Sequence, residues 1–210
     1  MTDSLIHLGM ILDSCLSWTL HVDYLCQNIS TATFVLKRIK ATSTHEAMTT
    51  AYHALFESHL RYGVVLWGST SSTNIQKVLV LQKRALRTMV GLLPHESCRQ
   101  VFKDRGILTV TALYILEVIL HATKKNLKKL GDFRGHANRN AQDYNLPLHR
   151  MELFTKKPSY AGAKLFNLLP FEIKRGDNNT LKRRLRNWLL EETIYTLNEF
   201  IDRCRNYRTT

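Results

Sequence analysis

The chain has 210 residues, of which 44% are hydrophobic and 22% are charged, a balance typical of a globular protein of one or two domains. No run of about 20 apolar residues is present, so we expect no transmembrane helix and no membrane partner. The N-terminus lacks the basic segment before an apolar block that marks a signal peptide, so we expect an intracellular protein, nuclear or cytoplasmic. The cysteines at 15, 26, 98 and 204 match no zinc or disulfide spacing, which predicts free thiols.

The charge of the chain is strongly basic and unevenly distributed. The net charge is +13, with 11 Lys and Arg against eight Asp and Glu in residues 1–120, and 19 against nine in residues 121–210. The second stretch therefore holds a net charge of +10. Such basicity favours a polyanionic partner, most often nucleic acid, and an ordinary basic domain is the alternative.

A short hairpin and amphipathic helices are predicted in the first half of the chain. Residues 5–16 are apolar and interrupted by a glycine, which indicates two short strands. Apolar residues then recur at helical spacing over 21–40. A second helix follows Thr44, which is suited to cap it, and a third covers 73–90 and ends at Gly91.

The second half begins with helices and then becomes polar. We predict helices over 97–105 and 110–126, the latter apolar on most sides and therefore buried. Residues 131–145 are rich in Gly, Asn and Asp, which predicts a linker and an internal boundary. An extended piece over 146–153, a helix over 160–168 and a last, basic helix from about Thr180 follow.

Five short motifs stand in order along the chain. They are HLGMILD at 7–13 with LSW at 16–18 and His21, SHLRYGVVLWG at 58–68, LQKRALR at 81–87, CRQVFKDRGILT at 98–109, and the stretch from Tyr160 to Phe200. This set resembles non-LTR (LINE-type, jockey/CR1-like) retrotransposon reverse transcriptases downstream of their catalytic palm. The resemblance spans roughly residues 5–200.

Periodicity and resemblance together predict a mainly α fold: a thumb-like helical bundle with a short N-terminal β hairpin and a basic helical C-terminal extension. The resemblance implies a primer-grip-like hairpin left from the palm (1–20), a thumb-like bundle (21–130), a polar linker (131–145) and a basic C-terminal region (146–210). The motif residues that we expect to have structural roles are Gly9, Asp13, Trp18, His21, Tyr62, Gly63 and Trp67.

The same resemblance implies a parent RNA-directed DNA polymerase, which holds two Mg²⁺ ions with palm aspartates. This chain has no Asp-Asp pair and no Cys-x-x-Cys. We therefore expect no catalytic residue, no metal site and no cofactor in this chain, which by itself would not be an enzyme. Asp13 and Asp23 lack a third carboxylate at usable spacing, so turn and helix-start roles are favoured over metal ligation.

Basic residues on three segments are the candidates for nucleic-acid contact. The candidates are Lys77, Lys83, Arg84, Arg87, Lys124, Lys125, Lys128, Lys129, Lys182, Arg183, Arg184 and Arg186. On a helix, Arg84 and Arg87 lie three apart and Lys77 and Arg84 seven apart, so they share a face. Such residues would contact phosphates without reading sequence. The alternatives are a solvated charged face and, for the last helix, a nuclear-import signal.

The aromatic residues Trp18, Tyr62 and Trp67 within the motifs allow two interpretations. They could stack on primer or template, or they could pack in the core between thumb helices. Packing is favoured, because large aromatic side chains contribute most of their energy through burial.

The predicted function is the thumb and C-terminal region of a reverse transcriptase, which grips an RNA template–primer duplex without sequence preference. The partners are then RNA or an RNA–DNA duplex and the rest of a reverse transcriptase. One alternative is a domesticated or decayed fragment that acts as a nucleic-acid-binding or protein-interaction module. Another is a transcribed relic without function.

Overall fold

The structure, a computed structural model, describes residues 4–125, 127–132, 141–175 and 178–209. The predicted fold class is confirmed: the described chain is mainly α-helical, with one short antiparallel hairpin near the N-terminus. The elements are β1 (Ser4–His7), β2 (Met10–Asp13), α1 (Thr19–Ile39), α2 (His45–Tyr52), a π-helical turn (His53–Glu57), α3 (Ser58–Arg61), α4 (Val64–Trp67), α5 (Ser72–Val90), α6 (Arg99–Asp104), α7 (Val110–Thr123), a 3₁₀ turn (Leu130–Asp132), α8 (Glu152–Thr155), α9 (Pro158–Leu168), α10 (Phe171–Lys174), α11 (Asn178–Glu192) and α12 (Leu197–Thr209).

The chain divides into two compact units, residues 1–111 and 112–210. This division falls inside α7, whereas the sequence analysis placed an internal boundary at 131–145. Residues 133–140 of that stretch lie outside the described residues. At its end, Tyr144 is buried and its backbone N–H donates to Asn167 Oδ1 at 2.7 Å. The described end of the predicted linker is therefore attached to the second unit.

The N-terminal hairpin turns over two residues. Strands β1 and β2 pair antiparallel, with His7 opposite Met10, so Leu8 and Gly9 form the turn. Both have positive φ, 47° and 76°, as a type I′ turn requires. Glycine adopts this conformation readily, whereas leucine pays a steric cost. The predicted strand pair is confirmed, with Gly9 as its turn residue.

Helices α1 and α5 run side by side in parallel in the first unit. Near their N-terminal ends the buried Asn74 side chain donates to Thr19 Oγ1 at 3.1 Å. One turn further, Lys77 Nζ donates to Asp23 Oδ1 at 2.9 Å. Each helix buries one apolar stripe, as amphipathic periodicity requires, and both predicted helices are confirmed.

A π-helical turn changes which residues are buried after α2. Regular α-helical spacing predicts Leu55 and His59 on the apolar face, but both are exposed. The turn at His53–Glu57 adds one residue to the helical repeat. The buried face therefore continues at Phe56 and Leu60, which are fully buried. The prediction of which residues of this helix face the core is therefore wrong after Tyr52.

Gln82 is fully buried and joins α5 to two other segments of the first unit. Its Nε2 donates to Tyr52 Oη and to the Leu108 carbonyl, both at 2.9 Å. Its Oε1 accepts from the Val110 N–H at 2.8 Å. A buried amide is tolerated here because its donors and acceptor are paired. Burial raises the pKa of Tyr52, so this hydroxyl stays neutral.

In the second unit, α7 is buried on nearly every side, as its apolar sequence predicts. Helix α9 approaches it closely at Gly162, where a Cβ would collide with the Val118 carbonyl oxygen and lie 2.8 Å from Ala122 Cβ. A side chain larger than hydrogen is therefore excluded from this contact. Nearby in sequence, the buried Lys174 ammonium donates to Asp143 Oδ1 at 2.7 Å and to the Asn167 carbonyl at 2.8 Å.

The described C-terminal region contains three helices that the sequence analysis did not predict: the short α8 and α10, and α12 at its end. The predicted last helix is α11, and its apolar stripe of Leu181, Leu185, Trp188 and Leu189 is buried. It ends at Glu192; the next residue, Thr193, has a positive φ of 45°, and α12 follows. Another correction concerns the predicted extended piece over 146–153, because α8 already begins within it.

Candidate nucleic-acid interface

A groove opens between the C-terminal halves of α1 and α5, with a cavity volume of about 830 Å³. We call it the α1–α5 groove. Its lining residues are Ser30, Thr33, Phe34, Lys37, Lys40, Val80, Leu81, Arg84, Arg87, Thr88, Gly91, Leu92 and Pro94. The volume is within the range of roughly 300–1,000 Å³ seen for ligand sites. All lining residues belong to the first unit.

Four cationic side chains line the groove: Lys37 and Lys40 from α1, and Arg84 and Arg87 from α5. None of the described lining residues is acidic. The groove also lies near two helix C-termini, each equivalent to about −0.5 charge. The four positive side chains and the two helix ends together give the groove a net charge of about +3. The arrangement is suited to binding an anion.

Two of the four cations lie at the end of α5, and Arg87 is fixed there by hydrogen bonds. Gly91 ends this helix with φ +84°, and Lys40 Nζ lies 3.2 Å from where its Cβ would be. Arg87 donates to the Glu96 carbonyl through Nη2 at 2.8 Å and Nε at 3.3 Å. A carbonyl partner leaves the guanidinium charge uncompensated, and the Glu96 carboxylate itself accepts from the Leu93 N–H. Lys37 and Arg84 are exposed.

The hydroxyl groups of the groove donate back to their own helices. Ser30 donates to the Cys26 carbonyl at 2.6 Å, Thr33 to that of Ile29 at 2.8 Å, and Thr88 to that of Arg84 at 3.0 Å. With their protons used, these oxygens offer only acceptor lone pairs to a ligand. The groove therefore adds hydroxyl oxygens that can accept a hydrogen bond to its four cations.

Of the basic residues predicted on the helix over 73–90, the structure places only Arg84 and Arg87 in the groove. Lys77 lies outside it and pairs with Asp23 at 2.9 Å. Lys83 is half-buried and also lies outside the groove, since one residue turns the helix by about 100° from Arg84. The basic surface predicted on this helix therefore includes Arg84 and Arg87 in the groove but neither Lys77 nor Lys83.

The predicted basic residues of the second unit follow α7 and lie on α11. Lys124, Lys125 and Lys128 are exposed, as are Lys182 and Arg183. These exposed side chains could reach phosphates.

Other members of the same set have structural contacts. Lys129 is half-buried, with Nζ 5.9 Å from the centre of the Tyr144 ring. Arg184 and Arg186 are half-buried, and Arg184 Nε and Nη2 have no hydrogen-bond partner among the described residues. Burial, followed by the charges of Lys125 and Lys124, lowers the pKa of the adjacent His121.

The motif residues for which we predicted structural roles lie around the junction of the hairpin with α1. Asp13 accepts from the backbone N–H groups of Cys15, Ser17 and Trp18 at 2.9–3.1 Å. The Ser17 N–H contributes most to holding the pKa of Asp13 below its ordinary value. A carboxylate occupied in this way closes a turn, which agrees with the role predicted for Asp13.

His21 and the two tryptophans form the buried part of this junction. Trp18 and Trp67 are buried, and the His21 ring lies between them with centroid distances of 6.1 and 6.3 Å. His21 Nδ1 accepts from the Ile11 N–H at 3.5 Å. Burial lowers the pKa of His21, so the neutral ring is favoured. Trp18 and Trp67 thus pack in the core rather than presenting a stacking surface.

Tyr62 and Gly63 join the hairpin to α3 and α4. The exposed Tyr62 hydroxyl donates to the Leu8 carbonyl, and Trp67 Nε1 donates to the Tyr62 carbonyl at 2.8 Å. Gly63 has φ +62°, and a Cβ there would lie 2.5 Å from Met10 Sδ. Tyr62 and Gly63 therefore fix the hairpin to α3 and α4.

No three His, Cys, Asp or Glu side chains in the described part of the chain lie close enough to hold a metal ion. The four cysteines are free thiols, as predicted. Within the described ranges, no helix is long and apolar enough to cross a membrane. No family model, curated protein or solved structure matches the chain.

Sequence reasoning missed three groove residues on α1: Phe34, Lys37 and Lys40. The available signal was that Phe34 lies off the apolar stripe of α1 yet is a large aromatic residue, 62% exposed in the structure. The two lysines occur in and just beyond the last turn of the same helix. Their convergence with α5 depends on the parallel packing of two helices that are distant in sequence.

Proposed function

We propose that this protein binds the phosphate backbone of nucleic acid in the α1–α5 groove, as the thumb and C-terminal region of a non-LTR reverse transcriptase. The observation that carries the proposal is the convergence of Lys37, Lys40, Arg84 and Arg87 on one groove whose described lining contains no acidic residue. Lysine and arginine contacts to phosphate provide affinity without base reading. An RNA template–primer duplex is the proposed ligand, which implies a nuclear or cytoplasmic location.

The proposed role is gripping rather than chemistry. Polymerisation would need the palm of a reverse transcriptase, either in the same polypeptide or as a partner, with its two Mg²⁺ ions. The residues of this chain would hold the duplex, and the exposed cations Lys124, Lys125, Lys182 and Arg183 would add a second contact surface. A domesticated module that binds nucleic acid would use the same surfaces.

Fluorescence anisotropy with a labelled RNA–DNA hybrid over a salt series tests this proposal. The groove variant is Lys37→Ala/Arg84→Ala, and its matched control is Arg38→Ala/Lys77→Ala, which removes the same two charges from α1 and α5 outside the groove. Each lost phosphate contact reduces the slope of log K against log salt by about 0.9.

We expect the slope of log K against log salt to become shallower by about 2 in the groove variant and by clearly less in the control variant. Equal losses in the two variants, or no binding by the wild-type chain at about 50 mM salt, would contradict the proposal. A primer-extension assay with Mg²⁺ should show no incorporation by this chain, and any incorporation would refute the assignment of a gripping role alone.

A further inference from the structure

An exposed aromatic ring stands among the cations of the α1–α5 groove. Phe34 lines the groove and is 62% exposed. Its neighbours Ala32 and Leu36 are buried on the core side of α1, so Phe34 is turned away from the core. Val80 lines the groove from α5 and is 53% exposed. The groove therefore offers an unpartnered apolar platform in addition to its charge.

Phosphate binding to a duplex does not explain this platform. In a duplex the base faces are stacked on each other, and only phosphates, sugars and groove edges reach a protein surface. An unpaired strand presents base faces, which stack on aromatic side chains while cations follow the backbone. The groove has this combination of features, because Phe34 lines it together with Lys37 on the same helix and Arg84 on α5.

The groove hydroxyls point to the same ligand class. The hydroxyl groups of Ser30, Thr33 and Thr88 each donate to a backbone carbonyl of their own helix. The exposed oxygens of Ser30 and Thr88 keep acceptor lone pairs, which suit the amino groups of bases and the 2′-hydroxyl of RNA.

We infer that the α1–α5 groove binds an unpaired nucleic-acid strand, with one base stacked on Phe34 and the adjoining phosphates held by Lys37, Lys40, Arg84 and Arg87. This inference rests on the proposed function and extends it: the same cations hold the phosphates of a duplex, and an unpaired strand gains one stacked base in addition. The cavity of about 830 Å³ has the size of an ordinary small-ligand site. Such a groove would hold the single-stranded template next to a duplex.

The test uses the full chain with a short labelled single-stranded RNA and with the same sequence as an RNA–DNA hybrid. Phe34→Ala removes the ring, and Tyr24→Ala is the matched control, because Tyr24 is a half-exposed aromatic residue of α1 outside the groove. Stacking of one base contributes about 5- to 150-fold in affinity. We expect Phe34→Ala to lose this factor on single-stranded RNA with an unchanged salt slope, and to change hybrid binding less than twofold.

Phe34→Trp allows base stacking to be detected directly by fluorescence. The native residues Trp18, Trp67 and Trp188 are buried, so an indole at position 34 is the one exposed to ligand. We expect Phe34→Trp to bind single-stranded RNA as tightly as wild type and to show fluorescence quenching on binding. An acidic amphipathic peptide should neither bind comparably nor quench.

The outcomes separate the two proposals. Wild-type affinity of Phe34→Ala for single-stranded RNA, an equal loss on the hybrid, or preference for the acidic peptide would overturn the inference about Phe34. If salt-dependent binding still requires Lys37 and Arg84 in that case, the proposed function survives. Absence of binding to both nucleic acids at low salt would overturn both.

Discussion

Replacing Gly63 by alanine tests how the hairpin is fixed to α3 and α4. Gly63 has φ +62°, and its added Cβ would lie 2.5 Å from Met10 Sδ. A non-glycine residue in left-handed conformation costs roughly 1–2 kcal/mol. Displacing Met10 adds up to about 1 kcal/mol, because overpacking costs about 1–3 kcal/mol and a thioether adapts readily. We expect Gly63→Ala to lower the free energy of unfolding by about 1–3 kcal/mol, of which up to about 1 kcal/mol comes from the contact with Met10.

Gly106→Ala separates these two contributions. Gly106 has φ +60° but nothing within 4 Å of its Cβ position, so its replacement should cost only the backbone term of roughly 1–2 kcal/mol. Both glycines belong to the first unit. Urea unfolding followed by tryptophan fluorescence in a Trp188→Phe background would report on that unit, through Trp18 and Trp67. Equal costs for the two variants would refute the contact between the hairpin and Gly63, and Met10→Ala should remove the difference.

Three further predictions concern packing, pH and the second basic surface. Gly162→Ala should lower stability by about 1–3 kcal/mol in urea unfolding because α9 contacts α7 there, whereas the exposed control Lys164→Ala on the same helix should have almost no effect. Burial lowers the pKa of His21, so the unfolded chain binds the proton more tightly than the folded chain. The free energy of unfolding should therefore fall as pH drops below about 6.5. A His21→Gln variant in which the free energy of unfolding keeps the same dependence on pH would contradict this. Lys182→Ala/Arg183→Ala should reduce the salt slope of hybrid binding by up to about 2 without changing thermal unfolding, because both side chains are exposed.

Local sequence signals predicted most of the helices. Apolar periodicity located α1, α5 and α11, and a cap residue located the start of α2, where Thr44 Oγ1 accepts from the Ala47 N–H at 3.3 Å. Gly91 was predicted to end α5 and does so with φ +84°. These features depend on residues close together in the chain, and for that reason a sequence pattern can reveal them.

The sequence analysis missed the end of α11 and the π-helical turn after α2, because both depend on backbone conformations that the residue types there do not indicate. Thr193, which follows the last residue of α11, has φ 45°, although β-branched residues rarely adopt left-handed backbone, so the break before α12 carried no glycine or proline signal. The π-helical turn at His53–Glu57 shifted the buried face by one residue. It is accompanied by the buried Glu57 carboxylate, which pairs with His53 Nδ1 at 2.5 Å and Arg61 Nε at 2.7 Å.

The groove could be predicted only in part, because it is a tertiary feature. Arg84 and Arg87 were identified from their spacing on one helix. Phe34, Lys37 and Lys40 became part of the same surface only through the parallel packing of α1 on α5. Lys77 was assigned to the surface by spacing alone, but the same packing brings Asp23 to it at 2.9 Å.

Lysine footprinting tests the location of the proposed nucleic-acid contact most directly. The wild-type chain would be acetylated with and without a saturating template–primer that carries a single-stranded overhang, and modification would be quantified by mass spectrometry of peptides. The account predicts strong protection of Lys37 and Lys40, and little protection of Lys77, which lies on α5 outside the groove. Unchanged acetylation of Lys37 and Lys40 in the saturated complex, or equal protection of Lys77, would contradict it.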